Sequence, residues 1–267
     1  MIGIGFLYAE TGSLNMADIG ARLADKPLDK TIGAAFGFLV VGISLKLALF
    51  PLHLWLPNAY TYAPSMVSAF LAATATKVAL YVLLRFLFSI FDIKLSFGVM
   101  PLDAILMVLA VIAMFAASAV AIFQTNLKRM LAYSSVAQIG YMVLGISFAN
   151  VNGLTASILH MFNHAMMKGG MFLALGCIFF RIASVNLDDL AGIGRRLPLT
   201  TAAFLVGGLG LIGVPLTVGF VSKWYLVLGA MDRGWWPVAA LLLLSSLLAV
   251  VYVWRVVEVV YLRPAPD

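Results

Sequence analysis

Long uninterrupted apolar runs constrain this chain more than any other feature. A helix crossing the hydrocarbon core of a bilayer needs about 20 mostly apolar residues, and about seven stretches meet that demand. They are Thr31–Trp55, Ser65–Phe91, Leu102–Gln124, Met130–Phe148, Leu154–Phe180, Thr200–Met231 and Trp236–Leu262. In lipid every backbone N–H and C=O must be satisfied within its own segment, so the runs read as helices. They lack the two-residue alternation of a barrel strand. The expected fold is an all-α, polytopic membrane protein.

Composition agrees. Of 267 residues, 63% are apolar and 10% charged, where a soluble domain carries about 25% charged residues. That excludes a water-soluble enzyme, a disordered chain and a nucleic-acid-binding module. The formal charge of +6 comes from cations scattered singly between apolar runs, and these form no nucleic-acid-type patch. The single cysteine, Cys177, excludes an internal disulfide, a Cys-based zinc site and an iron–sulfur cluster, and reads as a membrane-buried structural thiol. There is no glycine-rich nucleotide loop, no bis-His haem arrangement and no Ser/His/Asp constellation. No catalytic site and no cofactor are therefore expected in this chain.

The connections are short and polar. They carry Gly12, Asp18, Asp25, Pro27 and Asp29 before the first span, then Pro57, Asn58 and Pro64, then Asp92, Lys94 and Pro101. The rest are Asn126–Arg129, Asn150–Gly153, Asn186–Pro198 and Asp232–Gly234. They leave no room for an extramembrane domain. Met1–Tyr8 is apolar but too short to span. It lacks the basic flank of a signal peptide and reads as the end of a helix or a short re-entrant piece. The chain stops at Pro264–Asp267, just after a span. Loop charge does not orient the protein. Arg22, Lys26, Lys30, Lys94 and Arg233 fall on one side, and Lys128, Arg129, Arg181, Arg195, Arg196 and Arg263 on the other.

Two spans carry helix breakers. One holds Lys46, Pro51 and His53; the other holds Gly213, Pro215 and Gly219, followed by Lys223. Proline removes a helical hydrogen bond and clashes with the preceding turn, so each span should unwind locally. Irregular backbone at membrane depth survives only inside protein or beside water. Two broken helices suggest an internal repeat, the arrangement common in transporters; kinked packing helices are the alternative.

Four lysines, Lys46, Lys77, Lys168 and Lys223, lie within apolar spans. Each costs about 2.5–3.5 kcal/mol to insert at a helix centre. Snorkelling to the interface explains Lys94 but not Lys77. A buried amine is suited to proton transfer because burial and nearby charge shift its protonation equilibrium, whereas arginine stays charged. His160, His164 and Lys168 recur every four residues and so line one stripe of a helix. Such a row makes a proton relay when water fills its gaps. Structural histidines are one alternative. A metal site is another, although no third ligand stands nearby. His53 reads as interfacial. Asp103 should sit at a helix start, where the dipole favours it, and Glu258 should pair with Arg255 three residues away. Neither acid serves the four lysines, so their counter-charge is expected on another segment or chain. Gly207, Gly208 and Gly210 read as close helix packing.

These stretches resemble the antiporter-like, proton-conducting membrane subunits shared by respiratory complex I (its L, M and N types) and the multisubunit Mrp-type sodium/proton antiporters. The resemblance is carried by LKLALFPLHLWLPNAYTYAPSMVSAFLA (Leu45–Ala72), LKRMLAYSSVAQIGYM (Leu127–Met142), HMFNHAMMKGGMFL (His160–Leu173), VGFVSKWYLVLGAM (Val218–Met231) and TGSLNMADI (Thr11–Ile19). It is strongest to the D-type component of the Mrp antiporters. The family fold has about fourteen helices, including two inverted five-helix repeats, each with a broken helix.

The resemblance implies roles for individual residues. Lys46 would be the amine on the first broken helix and Lys77 the one on the following helix. His160, His164 and Lys168 would form the central relay, and Lys223 would stand on the exit side. A glutamate holds that exit position in the complex I M type, so a lysine favours the Mrp D or complex I L type. Residues 1–91 would be the end of the first repeat and 92–267 the second. The family's glutamate on an earlier helix has no counterpart here, so other membrane subunits, one supplying the first helices, are the implied partners, as for a truncated or split subunit. Lys128–Arg129 and Arg195–Arg196 would face the cytoplasm of a bacterial inner membrane. The function implied is proton translocation in a sodium/proton antiporter, with H⁺ and Na⁺ as the transported ions. The alternatives are a proton-pumping subunit of an NADH:quinone oxidoreductase and a non-conducting scaffold.

Overall fold

The computed structural model describes residues 1–24 and 26–264. Asp25 and the final residues of Pro264–Asp267 lie outside the described residues. The fold is the all-α one expected, and the protein is a polytopic integral membrane protein. Six helical stretches among the described residues are long and apolar enough to cross a bilayer. Among the described residues, the only extended pairing is one bridge between Asn126 and Asn186.

The helices are α1 (Ile2–Thr11), α2 (Met16–Ala24), α3 (Lys30–Leu47), α4 (Trp55–Tyr62), α5 (Ser65–Arg85) and α6 (Leu102–Ile122). Then come α7 (Leu127–Ser147), α8 (Val151–Ile182), α9 (Ile193–Arg196), α10 (Pro198–Ile212), α11 (Val218–Asp232) and α12 (Trp236–Val257). Side-chain caps start several of them by satisfying free N–H groups of the first turn. Asp29 accepts from Ile32 N (2.7 Å), Asn126 from Arg129 N (3.1 Å) and Asn150 from Gly153 N (2.7 Å).

Both expected breaks are present. α3 ends at Leu47 with Ala48 in the left-handed conformation, and the chain runs unwound past Pro51 to Trp55. The expected segment Thr200–Met231 is two 15-residue helices, α10 and α11. Each is about 22 Å long, too short to span alone. Gly213, at φ +86°, closes α10, and Pro215 lies in the turn. Left-handed backbone is the conformation glycine adopts without a Cβ penalty.

Some connections are more ordered than the sequence suggests. The polar stretch before α3 contains α2, which buries Ile19 and Leu23 and pairs half-buried Asp18 with exposed Arg22 at 2.9 Å. Pro57 and Asn58, expected in a turn, fall inside α4. Proline is tolerated there because first-turn N–H groups have no helical acceptor to lose. The turn itself sits at Ala63–Pro64.

α7 is the innermost span. In its most apolar window 94% of residues are buried, against 33–50% in the other five. It packs against α6, α8, α4, α11 and α12. α8, 32 residues long, lies beside it and also meets α5, α10 and α11. The Gly207–Gly210 stretch packs closely, as expected, against Met171, Val253 and Met167.

Candidate functional site

The α7–α8 seam contains a row of buried polar groups. His160 and His164 are fully buried, with rings nearly parallel (7°) and centroids 6.2 Å apart. That stacking follows from their four-residue spacing on α8. One turn on, Lys168 is also fully buried. Its ammonium donates to the Leu131 carbonyl at 2.8 Å and to the Ser134 hydroxyl, both on α7. Lys77, on α5, donates to the Ala72 carbonyl, and α5 packs along α8, which carries His164 and Lys168.

Lys223 stands at the other end. From the first turns of α11 it reaches back across the break, donating to the carbonyls of Leu211 (3.0 Å) and Ile212 (2.8 Å) and to the Ser246 hydroxyl (2.9 Å). A helix that ends leaves its last carbonyls without N–H partners, and the amine fills that gap for α10. It also lies 4.5 Å from the centre of the Tyr141 ring. Tyr141 shares hydrogen bonds with Ser245 (2.7 Å) and Ser246 (3.3 Å), and its ring lies 5.9 Å from that of His160. The structure thus brings Lys77, His160, His164, Lys168 and Lys223 into one interior.

Lys46 is not in that row. Its side chain, near the C-terminal end of α3, is exposed. The buried stripe of α3 runs through Ile32, Phe36, Leu39 and Leu47; Lys46, seven residues after Leu39, shares that stripe's angle yet is left exposed. His53, in the unwound stretch after α3, is buried and stacked on Phe50 with centroids 5.2 Å apart. Cys177 lies within the span α8, on a side that the protein itself leaves exposed. Gly219 lies not in the second break but in the first turn of α11, against the Gly210 carbonyl.

The acids stay outside. Among the described residues, the buried polar side chains are Ser, Thr, Gln, His and Lys, with no carboxylate. Asp103 sits in the first turn of α6 as expected and pairs with Arg233 at 2.8 Å. Glu258 pairs with Arg263 at 3.2 Å rather than with Arg255, whose guanidinium turns to the Ile122 carbonyl. Ile122 closes α6, and a helix C-terminus attracts a cation.

Sequence reasoning missed the neutral partners. His160 Nε2 lies 2.8 Å from Gln138 Oε1 and Nδ1 lies 2.7 Å from Ser222 Oγ. Tyr252 stands beside Ser134 and Gln138. A signal was available: Ser134, Gln138 and Tyr141 recur at intervals of four and three on α7, a polar stripe in an apolar helix. It matches the His160–His164–Lys168 stripe opposite.

Comparison with known proteins adds to this geometry. Residues 1–249 match the family described as NADH:quinone oxidoreductase/Mrp antiporter, transmembrane. NADH-quinone oxidoreductase subunit N of Desulforudis audaxviator is 45% identical over 267 residues, covering 100% of this chain and 53% of that protein. The Mrp complex of a Dietzia species contains a chain 29% identical at a TM-score of 0.90, covering 100% of this chain and 48% of that one. The archaeal membrane-bound sulfane sulfur reductase contains another, 31% identical at a TM-score of 0.90, covering 100% and 55%. The chain spans about half the length of the curated relatives it matches.

Proposed function

From its membership of the NADH:quinone oxidoreductase/Mrp antiporter family of membrane subunits, to which the chain belongs, we propose that it conducts protons in a NADH-quinone-oxidoreductase-type complex. The relatives named subunit N favour this redox-linked reading over the D-type antiporter expected from sequence. The observation that carries it is the row of three buried amines and two buried imidazoles without a buried carboxylate among the described residues. Ionisable groups are costly at membrane depth and mark ion paths. Each can accept and release a proton, and the hydroxyls between them accept and donate in turn.

In this reading protons hop between Lys77, Lys168, His164, His160 and Lys223, with water beside His164, whose two ring nitrogens have no protein partner. Lys46, exposed near the end of α3, would take part only beside a further segment or subunit. The broken pairs α3/α4 and α10/α11 support assigning residues 1–91 to the end of one repeat and 92–267 to a second. The partners would be other membrane subunits of a multisubunit complex.

The test is Lys168→Ala in the assembled, reconstituted complex. Quinone-linked electron transfer should continue while proton flux falls at least tenfold; undiminished flux removes the row from the path. The Mrp likeness favours a second reading, sodium/proton exchange. Purification with iron–sulfur and flavin subunits supports the first reading, and sodium-dependent flux without them the second.

A further inference from the structure

His160 is held at both nitrogens by neutral groups on two different helices, and their chemistry is asymmetric. Gln138 Oε1, on α7, can only accept, so Nε2 must carry a proton at that 2.8 Å contact. A neutral imidazole then has a lone pair at Nδ1, facing the Ser222 hydroxyl on α11 at 2.7 Å. Ser222 has one proton and two acceptors in reach, His160 Nδ1 and the Gly219 carbonyl at 3.1 Å. It serves one at a time.

We infer that Gln138 and Ser222 are positioning residues that hold neutral His160 as its Nε2–H tautomer, with the Ser222 hydroxyl turning to Gly219 whenever His160 binds a second proton. The second proton adds at Nδ1, which then donates to Ser222 Oγ. No covalent bond beyond N–H is made or broken, and the Ser222 proton stays on its oxygen. Gly219 lies in the first turn of α11, four residues before Lys223, so the protonation state of His160 is registered at the helix break that Lys223 bridges. The same partner that fixes a tautomer also fixes ring orientation, as outer-shell acceptors do for metal-binding histidines. All four groups are buried, so water does not compete for these bonds.

This inference rests on the proposed proton path, and the experiment separates the two. The assembled complex is labelled with ¹⁵N-histidine, and the His160→Ala complex supplies the spectrum to subtract. His160 should appear as the Nε2–H tautomer in the wild type. Gln138→Met should give a tautomer mixture and lower proton flux about tenfold, as misplacing a reacting group does. Ser222→Ala should move the Nδ1 resonance, and Ser222→Thr should restore it. A wild-type Nδ1–H tautomer, or a Gln138→Met spectrum identical to wild type, overturns the inference. Undiminished flux in His160→Ala overturns the proton path instead, whatever the tautomer.

Discussion

Replacing Lys223 with methionine tests whether this amine has two separable duties. It donates to the carbonyls of Leu211 and Ile212, at 3.0 and 2.8 Å, and to Ser246 at 2.9 Å. Methionine fills a similar volume but donates nothing. Ser246 keeps its own bond to Leu242, so the loss falls on the two carbonyls that end α10. Two buried acceptors at about 1–3 kcal/mol each give about 2–6 kcal/mol. Interhelical hydrogen bonds in bilayers fall mostly below 2 kcal/mol, which sets the expected loss near 2 kcal/mol, or about 5 °C in melting temperature. Lys223→Arg keeps donors for both carbonyls but holds its proton permanently. The methionine variant should therefore lose both stability and flux, and the arginine variant flux alone. Thermal melts of the detergent-solubilised complex and dye-monitored proton uptake in proteoliposomes read the two effects. Wild-type flux in the arginine variant would refute proton release at this amine, and a wild-type melt for the methionine variant would refute its capping of α10.

Other substitutions probe the scaffold. Asn150→Ala removes the cap on α8 and a 2.8 Å bond to the Gly229 carbonyl; it should cost about 1–2 kcal/mol, read as a lower melting temperature. Gly219→Ala drives a methyl group into the Gly210 carbonyl, so stability should fall by about 1–3 kcal/mol and flux with it. Gly170→Ala, mid-α8 with nothing within 4 Å of where its Cβ would stand, should raise stability by about 0.5–1 kcal/mol. Asp103→Asn breaks a partly exposed pair with Arg233; the loss should be about 1 kcal/mol or less and should shrink as salt is raised.

What could be read in advance follows from how each feature is encoded. Span number and helix type depend on the run length of apolar residues, a local property, and so do the breaks at Pro51 and Gly213–Pro215. The His160–His164–Lys168 row was visible because three ionisable groups share one helical period. Burial of a given residue depends on which face meets a neighbour, and an all-round apolar helix gives no clue. Hence Lys46 and Lys77 look alike in sequence, yet the first is exposed and the second buried. The same limit hid the partners. Serine and glutamine are ordinary in any helix, and only the pairing of α7 with α8 and α11 shows Gln138 and Ser222 meeting at His160.

That pairing also answers a difficulty raised by the composition. Buried cations without counter-ions should be unstable, yet no described carboxylate is buried here. Each interior amine is instead met by backbone oxygen: Lys77 by Ala72, Lys168 by Leu131, Lys223 by Leu211 and Ile212. A carbonyl dipole stabilises an ammonium without binding it as a carboxylate would, and it remains in place when the amine is neutral. A row solvated this way can lose and regain protons without breaking an ion pair at each step. It follows that placing a carboxylate beside Lys168, as in Ser134→Asp, should stabilise the complex and slow proton flux. Faster flux in that variant would show that the row needs counter-charge rather than its absence.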